Sequence, residues 1–160
     1  MIKSGDSLPD VTLKSPTAGD PEDLSTSALF AGKKAVLFAV PGAFTPSCHL
    51  NHMPGYLTHL DAIKAKGVDL VACVSVNDVF VMKKWGEDTG ALGKITLLAD
   101  GSAEFTKAMG LELDAGAFGL GVRSQRYAAI VENGVVKEVM VEDAPPKVDA
   151  SSAESVLAKL

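Results

Sequence analysis

The chain has 160 residues, 47% of them hydrophobic and 22% charged, with a formal net charge of −5. These are the proportions of one ordinary globular domain with an apolar core of its own. The acidic balance argues against nucleic acid or an anionic membrane surface as the main partner, and no apolar run approaches the roughly 20 residues of a bilayer span. The N-terminus, Met1-Ile2-Lys3-Ser4-Gly5-Asp6, lacks a basic-then-apolar signal pattern, so a cytoplasmic protein is expected. Two cysteines in a domain this long do not make a disulfide scaffold. In a reducing compartment such a pair is catalytic, redox-sensing or simply buried.

Taken in chain order, Val11–Leu13 predicts a short strand, followed by the polar, turn-rich stretch Lys14–Glu22. Ala35–Val40 is a continuous apolar run of strand length, the pattern of a strand covered on both faces. Beyond the loop Pro41–Cys48, residues 48–66 place Leu50, Met53, Leu57, Leu60 and Ile63 at helical spacing, with a kink expected at Pro54-Gly55 and a cap at Gly67. Val68–Val76 and Ile95–Ala99 predict two further strands. Asn77-Asp78 predicts a cap for a helix over Val79–Glu87, and another helix is expected over Ser102–Met109. Ala128–Val131 and Val135–Val141 flank Asn133-Gly134, a strong hairpin signal. Ala150–Leu160 predicts a terminal helix capped by Asp149 or Ser151. Alternating strands and helices, closed by an antiparallel hairpin, point to a single α/β domain over residues 1–160. The expected architecture is a thioredoxin-like fold with a central mixed sheet flanked by helices.

The residues that ask for a chemical reading are Pro41-Gly42-Ala43-Phe44-Thr45-Pro46-Ser47-Cys48. A cysteine just past a strand, where a helix begins, meets exposed N–H groups and the positive end of the helix dipole, which favour an anionic sulfur. Thr45, three residues earlier, can bring its hydroxyl beside the sulfur or beside an oxygen that the sulfur attacks. Pro41 and Pro46 restrict the loop backbone and withhold N–H groups. The bland alternative is a buried cysteine in a proline-rich loop.

The pattern Pro41-x-x-x-Thr45-x-x-Cys48 resembles the peroxidatic-cysteine motif of the peroxiredoxins, and Val40–Tyr56 as a whole is similar to their type-II subfamily. Val71–Gly86, Leu97–Asp100 and Arg123–Val131 extend the resemblance over nearly the whole chain. It implies a thiol-dependent peroxidase that reduces hydrogen peroxide and alkyl hydroperoxides without metal or other cofactor. Cys48 would attack the peroxide and become a sulfenic acid, Thr45 would hold the peroxide, and Pro41 would shield the pocket. The family pattern sets its arginine immediately before the aromatic that opens a strand, which points to Arg126, with Arg123 as a structural or rim residue. It also implies a likeness to members that form homodimers, for which Phe44 and Phe118 are candidates near the pocket mouth. The other reading of the same loop is a redox sensor that passes oxidation to a partner.

Cys73 stands 25 residues after Cys48, inside an apolar run. One reading makes it the resolving cysteine; the other makes it a small buried hydrophobe. A disulfide needs Cα atoms within about 7 Å, and a central strand seldom offers that without local unfolding. The tail Asp149–Ala153 holds serines and no cysteine. The favoured cycle therefore uses one cysteine and an external reductant, glutaredoxin/glutathione or thioredoxin. His49, His52 and His59 lack the paired spacing of a structural metal site and are expected at the surface or the pocket rim, with His52 tuning the local charge. Met53, Met82, Met109, Phe44, Phe80 and Phe118 are expected in the core or at an interface.

Overall fold

A computed structural model describes residues 1–160. Nine strands and six α-helices follow one another along the chain. The strands are β1 (Thr12–Ser15), β2 (Glu22–Ser25), β3 (Lys34–Val40), β4 (Leu70–Ser75), β5 (Thr96–Ala99), β6 (Glu112–Asp114), β7 (Val122–Ser124), β8 (Tyr127–Glu132) and β9 (Val135–Val141). The helices are α1 (Thr26–Phe30), α2 (Met53–Thr58), α3 (Leu60–Ala65), α4 (Val79–Thr89), α5 (Glu104–Met109) and α6 (Ala153–Lys159). Seven strands form one mixed sheet in the order β2-β1-β5-β4-β3-β8-β9, and β6 pairs with β7 as a separate ribbon. No helix is long and apolar enough to cross a membrane.

The central strands follow from their sequences. β3 and β4 run parallel, as do β4 and β5, whereas β8 pairs antiparallel with β3. Because side chains alternate across a pleated strand, a strand apolar at every position must be covered twice. Val36, Phe38 and Val40 of β3 enter one core with Met53, Tyr56, Ile63, Met82, Trp85 and Val156. Ala35, Leu37 and Ala39 enter the other with Phe30, Phe105 and Met109. Phe38 is fully buried and stacks flat on Tyr56 at 3.9 Å between ring centroids. Burying a side chain of that size contributes roughly 1.5–3 kcal/mol. The same strand that builds the core thus also fixes the helix behind the cysteine loop.

Local signals set the ends of elements. Asp78 accepts a hydrogen bond from Val81 N at 2.8 Å and caps α4, as expected. Asn133 and Gly134 take φ of 50° and 76°, the left-handed pair that a two-residue hairpin turn demands. Gly67, at φ 88°, ends α3.

Three expectations are corrected, and three strands add to those expected. The helix expected over residues 48–66 is in pieces: a π-helical turn at Cys48–His52, then α2, then a break at His59 before α3. The irregularity precedes Pro54 because a proline is tolerated at the first turn of a segment, and the extra residue is taken up one turn earlier, beside the cysteine. α6 starts at Ala153 with Ser152 as its cap, its hydroxyl accepting from Ser155 N at 3.1 Å, while the Ser151 hydroxyl donates to Glu142. The helix expected from Ser102 starts at Glu104, after Ala103 in the left-handed region at φ 58°. Finally β2, β6 and β7 carry no apolar alternation of their own, and tertiary pairing makes them strands.

Candidate active site

The loop Pro41–Ser47 leaves the end of β3, and its closure brings three chemical groups together. Pro41, Gly42 and Ala43 are buried. Ala43 N donates to Asn77 Oδ1 at 2.9 Å, which ties the loop to the end of β4. A Cβ on Gly42 would stand 3.1 Å from Thr45 Cγ2 and 3.3 Å from an Arg123 guanidinium nitrogen. Glycine at this position lets the turn close. Phe44, a bulky residue at φ 65°, carries a strained backbone at the turn and stacks on His49 at 5.6 Å.

Thr45 Oγ1 lies 2.9 Å from Cys48 Sγ and 2.7 Å from Gly42 O. A hydroxyl has one proton to donate. It can therefore serve the Gly42 carbonyl or the sulfur, and can turn between them as the charge on sulfur changes. Cys48 itself is fully buried, as is Arg126 at 2% exposure.

Arg126 is the residue before β8, 78 positions from Cys48, and β8 runs beside β3. Its Nη2 donates to Cys48 Sγ at 2.9 Å, Nη1 to His52 Nδ1 at 2.9 Å, and Nε to the carbonyl oxygen of Pro145 at 2.9 Å. Three of the five N–H donors of the guanidinium are thus used, and two make no hydrogen bond within the protein. No carboxylate lies within ion-pair distance of Arg126. Burying a guanidinium is costly, and here its N–H groups are met by a sulfur, a ring nitrogen and a carbonyl oxygen. Arg123 is held elsewhere: Nε donates to Leu120 O and Nη1 to Val76 O, both at 2.9 Å. Its guanidinium lies beside Gly42 of the loop and makes no hydrogen bond to the sulfur.

His52, expected at the rim, is buried at 1% exposure, one turn along from Cys48. Burial first, and the neighbouring Arg126 charge second, bring its pKa down to about 3. It is neutral, with Nδ1 accepting from Arg126 and Nε2 donating to Ser151 O at 2.9 Å. Tyr56 Oη donates to the same carbonyl at 2.8 Å. His52 and Tyr56 stand four residues apart on one helical face, a spacing legible in the sequence. Their shared acceptor, 99 residues from His52, was not legible. His49 accepts from Trp85 Nε1 at 3.1 Å, and His59 pairs with Glu154 at 3.3 Å. The three histidines thus point to three different partners, and no cluster of metal-binding side chains is present.

Both cysteines are free and buried. Cys73 lies in β4 opposite Phe38 of β3, within the core that includes Cys48. Burial, and next the nearby Cys48, push its thiol well above the ordinary range. A thiol held protonated is a poor nucleophile. Of the side chains expected in the core or at an interface, Met53, Met82 and Met109 are buried. Phe44, Phe80 and Phe118 are exposed, the last two at 75% and 80%.

The profile of the redoxin family matches residues 3–157. Peroxiredoxin-2E, chloroplastic, of Arabidopsis thaliana is 47% identical over 163 residues, spanning 99% of this chain and 69% of that protein. Peroxiredoxin-2D of Arabidopsis thaliana is 42% identical over 160 residues, spanning 99% of this chain and 98% of its own length. Reduced Prx3 of Vibrio vulnificus in complex with hydrogen peroxide has 55% identity and a TM-score of 0.93, with 99% of each chain covered. A cysteine loop on a thioredoxin-like sheet and close relatives over the full length lead to one assignment: the chain belongs to the peroxiredoxins, in their type-II branch, and is a thiol-dependent peroxidase.

Proposed function

We propose that Cys48 is the peroxidatic residue and that Thr45, Arg126 and Pro41 complete its site. The observation that carries this reading is the pair of donors, Thr45 Oγ1 and Arg126 Nη2, each 2.9 Å from Cys48 Sγ. The anionic sulfur attacks the nearer oxygen of a hydroperoxide, an S–O bond forms and the O–O bond breaks. The attacked oxygen keeps its hydrogen and becomes the hydroxyl of a sulfenic acid. The leaving alkoxide or hydroxide takes a proton and departs as alcohol or water. Charge moves from sulfur to the leaving oxygen, so donors that can follow it lower the barrier. The two unused N–H groups of Arg126 and the mobile proton of Thr45 have that capacity. Buried Pro41 keeps water from the sulfur.

Thr45→Val keeps the shape of the side chain and removes the hydroxyl. The rate of Cys48 oxidation by hydrogen peroxide should fall by about one to two orders of magnitude, and Thr45→Ser should recover most of it. Stopped-flow mixing reads both rates; an unchanged rate in Thr45→Val would remove Thr45 from the site.

The second half-reaction uses an external thiol, from glutaredoxin/glutathione or thioredoxin. It attacks the sulfenic sulfur, water leaves, and a further thiol releases Cys48 from the mixed disulfide. Cys73 takes no part, because its protonated thiol is locked in a central strand. Cys73→Ala should therefore keep glutathione-coupled turnover within about twofold, while intact mass after one equivalent of peroxide should show added oxygen or added glutathione. A loss of two hydrogens in the unsubstituted protein would instead mark a Cys48–Cys73 disulfide. Residues 1–160 act as one catalytic domain, cytoplasmic and without cofactor. The exposed Phe44, Phe80 and Phe118 suit a homodimer interface.

A further inference from the structure

The segment 142–152 links β9 to α6 and crosses over the site as a strap. Glu142 closes it. One carboxylate oxygen, Oε2, accepts from Asp149 N and Ser151 N at 2.7 Å each and from Ser151 Oγ at 2.6 Å. The Glu142 backbone N donates to Arg126 O at 2.9 Å, so the strap is also tied to the strand it guards. Glu142 is buried and has no basic partner within ion-pair distance. Burial alone would raise its carboxyl; hydrogen bonds from Ser151, Asp149 and Ala150 outweigh that and hold it below the ordinary range.

Once closed, the strap presents carbonyl oxygens to the donors of the site. Pro145 O takes Arg126 Nε, Pro146 O takes Ser47 Oγ at 2.8 Å, and Ser151 O takes both His52 Nε2 and Tyr56 Oη. A guanidinium on a long side chain has a plane that must be set from outside. Here the Pro145 carbonyl sets it directly, and the Ser151 carbonyl sets it through His52. Every buried polar atom of this chain of contacts has a partner; Tyr127 Oη is the only buried side-chain polar atom in the molecule without one. A buried network with so few polar atoms left without a partner favours one geometry over others.

We propose that Glu142 is a positioning residue for the peroxide reaction: by closing the strap through Ser151 it holds the Pro145 and Ser151 carbonyls that fix the Arg126 guanidinium against Cys48. This rests on the role of Arg126 proposed above. It assigns Glu142 no contact with substrate; its effect passes entirely through Arg126.

A double-mutant cycle on the rate of Cys48 oxidation by hydrogen peroxide, at saturating strap and site folding as judged by thermal unfolding, tests this. Glu142→Gln should slow oxidation about tenfold when Arg126 is present and less than about twofold in the Arg126→Met background. Ser151→Ala, which keeps both backbone contacts, should lose about threefold with the same dependence on Arg126, and it decides the matter if Glu142→Gln does not fold. Equal losses in both backgrounds would reduce Glu142 to general support of the fold and overturn the proposal. So would an unchanged rate in both the folded Glu142→Gln variant and Ser151→Ala. If Arg126→Met by itself leaves the rate unchanged, the assignment of Arg126 is what fails, and the role of Glu142 falls with it.

Discussion

Cys48→Ser should reduce peroxide turnover by at least about four orders of magnitude, to the background of the assay, while the protein still folds. The substitution is close to isosteric. A serine hydroxyl can still accept from Arg126 Nη2 and exchange a hydrogen bond with Thr45 Oγ1, so the loop keeps its partners. It is not a nucleophile toward peroxide, because oxygen holds its proton where sulfur releases it. A second consequence follows from burial. Oxygen sits closer to Cβ than sulfur does, so the buried contacts to Arg126 Nη2 and Thr45 Oγ1 weaken, and the thermal midpoint should fall. Peroxide consumption measured with glutathione and glutaredoxin, beside a melting curve, reads both effects. A folded Cys48→Ser protein with normal turnover would refute the site.

Arg126→Met should lower the rate of Cys48 oxidation by about two to three orders of magnitude. The loss exceeds that of Thr45→Val because a charged donor interacts with developing oxyanion charge more strongly than a neutral hydroxyl. Methionine fills much of the buried volume, and a melting curve run beside the rate separates the loss in rate from the stability cost of the unpaired Pro145 carbonyl and His52 Nδ1. Arg123→Met provides the contrast. Arg123 touches Val76 O and Leu120 O and not the sulfur, so its loss loosens the loop and costs less than tenfold. If the two variants change places in this ranking, the arginine has been misassigned.

Much of this site was legible in the primary structure. The apolar run Ala35–Val40 marked a strand buried on both faces, and β3 is that strand. Thr45 and Cys48, three residues apart at a helix entry, are within hydrogen-bond reach because one helical turn spans that interval. Arg126 was legible from its place before the aromatic that opens β8, and it reaches Cys48 across 78 residues of chain. The partners of His52, Tyr56 and Glu142 were not. Each depends on a carbonyl or amide of the strap, and backbone groups leave no mark in residue type. The ribbon β6–β7 and strand β2 were also missed, since pairing rather than composition makes them extended.

The amino-acid sequence alone named the candidates for the chemistry: a thiol, a hydroxyl three residues before it and an arginine, on strands and helices whose order already specifies a mixed α/β sheet. Hydrophobic periodicity and turn residues are local properties, and the central strands and the hairpin turn they mark are present in the structure. Whether His52 is buried and neutral, and what holds it and Arg126 in place, were decided only in three dimensions. Those answers depend on the antiparallel pairing of β3 with β8 and on a strap that returns over the site from the far end of the chain. Local signals name the reacting groups; contacts between distant segments set the angles at which they meet.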